Sequence, residues 1–216
     1  MKIVSVNVGM PRLVERNGEM ISTGIFKTPV AGKIKVNQFN LEGDAQADLD
    51  VHGGWSKSVY AYPAEHYDYW QKHLPEMALP FSIFGENLTT EGLLENEVFI
   101  GDQFQIGSAR FVVTEPRFPC YKLGIRFNRP DIIARFHLSG RSGFYLAVLK
   151  TGELQAGDKI EIIEKNENHV SIIDILRFKN EGIMDREKMR RALNIEVLPQ
   201  KLKLKIKNKL DEDKSG

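Results

Sequence analysis

Short alternating apolar runs, broken by glycine turns, fill the first three-quarters of the chain, and helical spacing takes over near the end. KIVSVNVG, from Lys2, carries β-branched residues on both faces, as a buried strand does. KIKVNQF places Ile34 and Val36, and by alternation Gln38, on one side, bounded by Gly32 and an EGD turn at Glu42 to Asp44. SVYAY, Ser58 to Tyr62, is β-branched and aromatic and stops at Pro63. Proline suits a first helical turn, so PAEHYDYWQKHL reads as a helix closed by Pro75. VFIGDQFQIG (Val98 to Gly107) and LQAGDKIEII (Leu154 to Ile163) each set Gly-Asp, a turn pair, before an alternating strand. ARFVVTE and GFYLAVL supply further strands, and NRPDIIARFHLSG a short helix between Pro130 and Gly140. Short strands joined by recurring turns predict a sandwich or barrel.

The pattern changes after Glu164. Ile172, Ile173 and Leu176 fall at helical spacing before Gly182, and Asp185 can cap REKMRRAL. LPQKLKLKIKNKL alternates like a strand, yet Leu202, Ile206 and Leu210 also sit at i, i+4, i+8 after Pro199. Its lysine-rich composition and the helices before it favour a third helix, with the DEDKSG tail frayed. The expected fold is mainly β: a β-barrel-like domain with peripheral helices over residues 1–165, and a small all-α three-helix module over 166–216.

Composition narrows the function. The 216 residues suit one domain with a small appendage. A net charge of +1 gives no global field for nucleic acid or an anionic membrane, so any anion site must be local. The single cysteine makes no internal disulfide, no apolar run approaches the ~20 residues of a membrane helix, and the N-terminus lacks a signal-peptide core. A soluble cytoplasmic protein is the expectation. Common nucleotide loops, GxxxxGK[ST] and GxGxxG, are absent.

The candidate chemistry centres on TEPRFPCYKLG, Thr114 to Gly124. Cys120 there has Arg117 and Lys122 close in sequence, and nearby positive charge favours the anionic, nucleophilic form of a thiol. Pro116 and Pro119 stiffen the segment, which reads as a rigid loop after a strand. A structural cysteine is the alternative. In DLDVHGGWSKSVYAY, Gly53 and Gly54 allow close backbone approach and Lys57 can hold an anion, with His52 beside them; a plain tight turn is the alternative. FGENLTTEGL offers Asn87, Thr89 and Thr90 on a bending loop, and GRSGFY sets Arg141 and Ser142 between glycines; both also suit solvated turns. His66 and His73, seven apart on the predicted helix, are poorly spaced as ligands. A Cys120 hydrolase using His52 or His137 stays open, because such partners need not be close in sequence.

Taken in order, DLDVHGGWSKSVYAY, FGENLTTEGL, IGDQFQIG, TEPRFPCYKLG and GRSGFYLAVLKTGELQAGDKI resemble the MOSC domain family, and within it a YiiM-like group with a C-terminal three-helix module. The resemblance covers roughly residues 1 to 165. It implies a barrel-like fold and binding of molybdenum cofactor, with Cys120 as the protein's ligand to molybdenum and the catalytic residue. It implies that Arg117, Lys122 and Lys57 meet anionic groups and that Gly53 and Gly54, with His52, approach the pterin or phosphate. Asn87 and Thr89 would hydrogen-bond it, and Thr114, Arg141 and Ser142 would line the same mouth. Pyridoxal phosphate binding is associated with the family as well. The implied activity is reduction of N-hydroxylated compounds such as hydroxylaminopurines, with electrons from a partner redox protein. A sulfur or cofactor carrier holding a persulfide on Cys120 is the alternative. No membrane or specific nucleic-acid partner is implied, and the helical tail could dock on the barrel, form a homodimer or bind the electron donor. Glu115 stands where the family commonly has glutamine, and is expected to point outward.

Overall fold

The computed structural model describes residues 1–48 and 53–212. Along the chain, β1 (Lys2–Val8), β2 (Arg12–Arg16), β3 (Glu19–Thr23), β4 (Thr28–Pro29) and β5 (Ile34–Val36) come first. A 3-10 turn at Trp55–Lys57 leads to β6 (Val59–Pro63), α1 (Glu65–His73) and β7 (Leu88–Glu91). Then follow β8 (Gln103–Ile106), β9 (Ala109–Pro116), α2 (Tyr121–Phe127), α3 (Ile132–Ser139), β10 (Phe144–Lys150), β11 (Gly152–Leu154) and β12 (Ile160–Glu164). Three helices close the chain: α4 (Ile172–Glu181), α5 (Arg186–Leu193) and α6 (Gln200–Glu212).

Eight strands form one mixed sheet in the order β12-β8-β9-β10-β6-β7-β1-β4. Among the described residues its only parallel pair is β6 with β7, and α1 lies in the crossover that such a pair requires. The two Gly-Asp strands, β8 and β12, pair with each other. The sheet curls until the segment entering β12 meets β1: Ile3 donates its amide to Asp158 O at 2.9 Å, and Lys2 bridges to Lys159. That is one isolated bridge rather than a strand ladder. The expected barrel is therefore not closed among the described residues; the molecule is mostly β around a large, rolled mixed sheet.

One element went unmarked in the sequence, and two local expectations need correcting. The segment Arg12–Thr23 forms an antiparallel hairpin that alternation did not mark, because only Val14 and Ile21 of its apolar residues are even partly covered. Its turn is Asn17-Gly18, both at positive φ (52° and 83°), the pairing that a two-residue hairpin loop selects. FGENLTTEGL is not all loop: Leu88 to Glu91 is β7, and Thr89 and Thr90 are buried in the sheet. The stiff loop around Cys120 is short, since α2 starts at Tyr121.

The buried apolar cluster does not stop at the sheet. Phe104, Phe111 and Leu146 share it with Ile172, Ile175 and Phe178 of α4, Met189 of α5 and Leu202, Ile206 and Leu210 of α6. The i, i+4, i+8 spacing of the last three thus faces the core, while Lys205 and Lys207 between them are exposed and Lys203 and Lys209 half-buried, so α6 is a helix despite its strand-like alternation. A second cluster, rich in aromatics, packs Tyr62, Trp70, Phe84 and Phe136 between α1, α3 and the sheet.

Candidate functional site

The site is built on the central strands. Tyr145 on β10 lies directly opposite Tyr60 on β6 and opposite Glu115 on β9. Residues paired across a ladder share a face, so all three side chains project from the same side of the sheet. The Tyr60 and Tyr145 rings are 5.5 Å apart. Immediately after β9, the chain turns through Arg117 and Phe118 to Cys120, which occupies the N-cap position of α2. The Arg117 amide donates to Gly143 O at 3.3 Å. Gly143, at φ 60°, cannot be replaced there: a Cβ would collide with Ala61 O and approach the Tyr60 and Tyr62 rings to 2.9 Å. GRSG therefore anchors Arg117, and Gly143 donates its own amide to the buried Glu95 carboxylate at 2.7 Å.

A pocket of about 100 Å³ opens over this face. Its wall includes Cys120, Arg117, Lys122, Lys57 and Asn87, so five of the twelve residues that the sequence points to meet there. Cys120 is a free thiol, partly exposed. Arg117 is only 6 % exposed, and its Nη1 has no hydrogen-bond partner. Its guanidinium lies 5.4 Å from the Tyr60 ring and 5.1 Å from that of Phe136. Lys122 is likewise buried. A buried, incompletely bonded guanidinium beside a buried lysine is costly unless an anion completes it. Burial pushes the Tyr145 phenol up to about 12, with the Arg117 charge opposing, so the group is a proton donor at neutral pH.

The remaining candidates lie elsewhere. Thr89 donates to Glu86 Oε1 at 3.0 Å and does not line the pocket. The Thr114 hydroxyl, 2.6 Å from Ser56 O and 3.1 Å from Tyr145 O, ties the 3-10 turn carrying Lys57 to the sheet. Arg141 stacks over Tyr69 at 3.6 Å, and the Ser142 hydroxyl donates to Gly143 O at 2.7 Å. Gly53 and Gly54 precede the 3-10 turn and do not line the pocket. His52 falls outside the described residues. Asn87 lines the pocket, yet its amide nitrogen donates to Asp44 Oδ2 at 2.9 Å and its oxygen accepts from the Tyr60 amide at 3.1 Å. His66 pairs with Glu95 at 2.8 Å. His137 hydrogen-bonds Asn180.

Glu115 does not point outward. It is buried, accepts a hydrogen bond from Ser56 at 3.4 Å and lies close to Lys57. Register explains the correction, because Glu115 shares the face of Tyr145. Burial raises its pKa, and Lys57 and Ser56 oppose the rise.

Other pocket residues carried no local signal. Lys27 and Asp44 form a buried ion pair at the wall, and Asp44 also accepts the Gly9 amide at 2.9 Å. Burial lowers the pKa of Lys27, with Asp44 opposing. Thr23, Gly24 and Ile25, which follow the β2–β3 hairpin, complete this side. These positions are scattered in sequence, and only their common wall unites them.

Comparison with known proteins places these features in context. A model of the MOSC domain matches residues 48–161. The chain is 40 % identical over 170 residues to the uncharacterized protein YflK of Bacillus subtilis (strain 168), covering 79 % of this chain and 76 % of that one. It is 39 % identical over 145 residues to protein YiiM of Escherichia coli (strain K12), covering 66 % and 65 %. A protein of Gibberella moniliformis (strain M3125 / FGSC 7600) named "Reductase" is 32 % identical over 178 residues, which span 81 % of this chain and 31 % of that longer protein. The crystal structure of YiiM from Geobacillus stearothermophilus superposes with a TM-score of 0.80 at 30 % identity, over 97 % of this chain and 98 % of that one.

Proposed function

Since the chain belongs to the MOSC domain family, a family associated with the molybdenum cofactor, we propose that its pocket binds that cofactor and that the protein is a reductase of N-hydroxylated compounds. The observation that carries this reading is the convergence of the free thiol Cys120 with Arg117 and Lys122 on one pocket, Arg117 Nη1 being buried and unpartnered. These residues fit the group. Thiolate is the soft ligand suited to such a metal. Among the described residues, no group of three or more His, Cys, Asp or Glu is placed to hold a metal ion; Cys120 would supply a thiolate and the cofactor its own ligands. Arg117 and Lys122 would balance its anionic sulfurs and phosphate by charge-assisted hydrogen bonds. When bound, the cofactor supplies two-electron chemistry at the metal.

The chain's own residues hold and orient. Thr114 and the Ser56 carbonyl fix the turn that carries Lys57 at the pocket. Asn87 and Asp44 hold the wall opposite, with Lys27 neutralising Asp44. Tyr145, on the pocket wall, keeps its proton at neutral pH and would serve as a hydrogen-bond donor to an oxygen of a bound ligand.

The test is molybdenum and pterin analysis of protein purified without oxygen, beside Cys120→Ala, with a hydroxylaminopurine reduction assay. Stoichiometric molybdenum that disappears in Cys120→Ala, together with turnover, is expected. A persulfide on Cys120 without molybdenum, in protein from a host that makes the cofactor, would establish the carrier role instead.

A further inference from the structure

Three lysines of the C-terminal helices gather into a basic face. Lys179 of α4 meets Lys205 of α6 so closely that the second ammonium, more than burial, draws Lys179 below the ordinary lysine value, and Lys201 adds to the effect. All three are exposed. Among the described residues, none of them forms an ion pair with a carboxylate. Like charges gathered this way repel one another, and an anionic surface laid over them would relieve the repulsion.

The face adjoins the pocket. The Lys179 ammonium is 5.8 Å from the centroid of the Phe118 ring, and Phe118 lines the pocket two residues before Cys120. His137 lies between the two regions: burial, then the charge of Arg117 and also that of Lys179, hold its pKa below the usual value, while its hydrogen bond to Asn180 opposes them. Apolar groups are interspersed with the charge. Leu204, beside Lys205, is 59 % exposed, and Leu138, beside His137, is 88 % exposed. Exposed apolar residues within a charged rim are the anatomy of a protein interface. A small-anion site would bury its lysines, and a nucleic-acid face would have little use for the leucines on a chain of net charge +1.

We propose that this face, Lys179, Lys201 and Lys205 with Leu204 and Leu138, docks an acidic electron-donor protein carrying a flavin or an iron–sulfur cluster beside the pocket. The inference rests on the reductive reading above. Converting R–NH–OH to R–NH2 and water breaks the N–O bond and consumes two electrons and two protons. The donor's reduced cofactor supplies the electrons and is oxidised, and solvent supplies the protons.

The experiment titrates the full chain with an acidic flavodoxin and an acidic [2Fe–2S] ferredoxin at low salt, by calorimetry. The double variant Lys179→Glu/Lys205→Glu is compared with Lys35→Glu, an exposed charge on β5 far along the sequence from these helices. At least one donor should bind the wild type, about tenfold more weakly to the double variant, with a flatter salt dependence, and unchanged to Lys35→Glu. Equal affinities, absence of binding by either donor, or loss of binding to a short DNA duplex while donor binding stays intact would each overturn the docking. Turnover driven by reduced methyl viologen bypasses docking and tests the pocket separately. Its absence in cofactor-loaded wild type defeats the reductive reading, while the titration still decides the interface.

Discussion

Two carboxylates near the pocket behave unlike surface acids. Glu115 is buried beside Lys57, and Glu86 is fully buried with Oε2 unpartnered while Oε1 accepts from the Tyr67 hydroxyl, the Ser82 amide and Thr89. Burial raises both above the usual 4.5, against the hydrogen bonds that favour the ionised form. A carboxyl with a raised native pKa holds its proton more tightly in the folded state. Its contribution to stability is therefore full below the ordinary value and lost as pH rises through the native value. Glu115→Gln keeps the shape and removes that loss. Thermal unfolding between about pH 5 and pH 8 should show the variant gaining on the wild type as pH rises; a relative loss would mean that the Lys57 attraction outweighs burial. The same substitution removes a negative charge near the pocket, so under the proposed cofactor reading retention of the cofactor should not fall. The sequence displayed Glu115 and its neighbours openly. Its direction was hidden, because that depends on the register of β9 against β10.

Among the elements, α4 has a cap that the sequence could have announced. Ser171 accepts the Asp174 amide at 3.3 Å, and the Asp174 carboxylate accepts the Ser171 amide at 3.0 Å. Ser171→Ala should cost about 1 kcal/mol, measured by denaturant midpoint at unchanged slope. Gly143→Ala should cost more, because a positive φ and the Ala61 carbonyl both oppose a side chain. It should also disturb Arg117, whose amide donates to Gly143 O. Loss of cofactor retention in a variant that still folds would separate that effect from simple instability. Strand β7 escaped the sequence because LTTE has the polar look of a loop. Thr89 is buried with its hydroxyl bonded to Asn7 and Glu86, whereas the buried Thr90 hydroxyl has no hydrogen-bond partner among the described residues.

At the scale of the molecule, α4, α5 and α6 share one buried cluster with the sheet. Deleting residues 166–216 would uncover the part of β9 that α4 contacts and the cluster they share, so the truncated chain should lose solubility or melt well below the intact one in calorimetry. A truncated protein of unchanged melting temperature would show that the helices add nothing to the core. Ile206→Ala, at a position with no exposure, should cost about 2–5 kcal/mol and test the same continuity without deleting anything. The sequence by itself determined the strand-rich first part, the first two closing helices and Cys120 between Arg117 and Lys122, since these rest on periodicity, turn chemistry and nearest neighbours; the last helix was ambiguous until burial of Leu202, Ile206 and Leu210 decided it. Only the tertiary structure decided that Lys27 and Asp44 join them, that Thr89, Thr114, Arg141 and Ser142 do not line the pocket, and that the sheet rolls without closing. Those outcomes depend on strand register and on contacts between residues far apart in the chain, and local pattern carries no information about either.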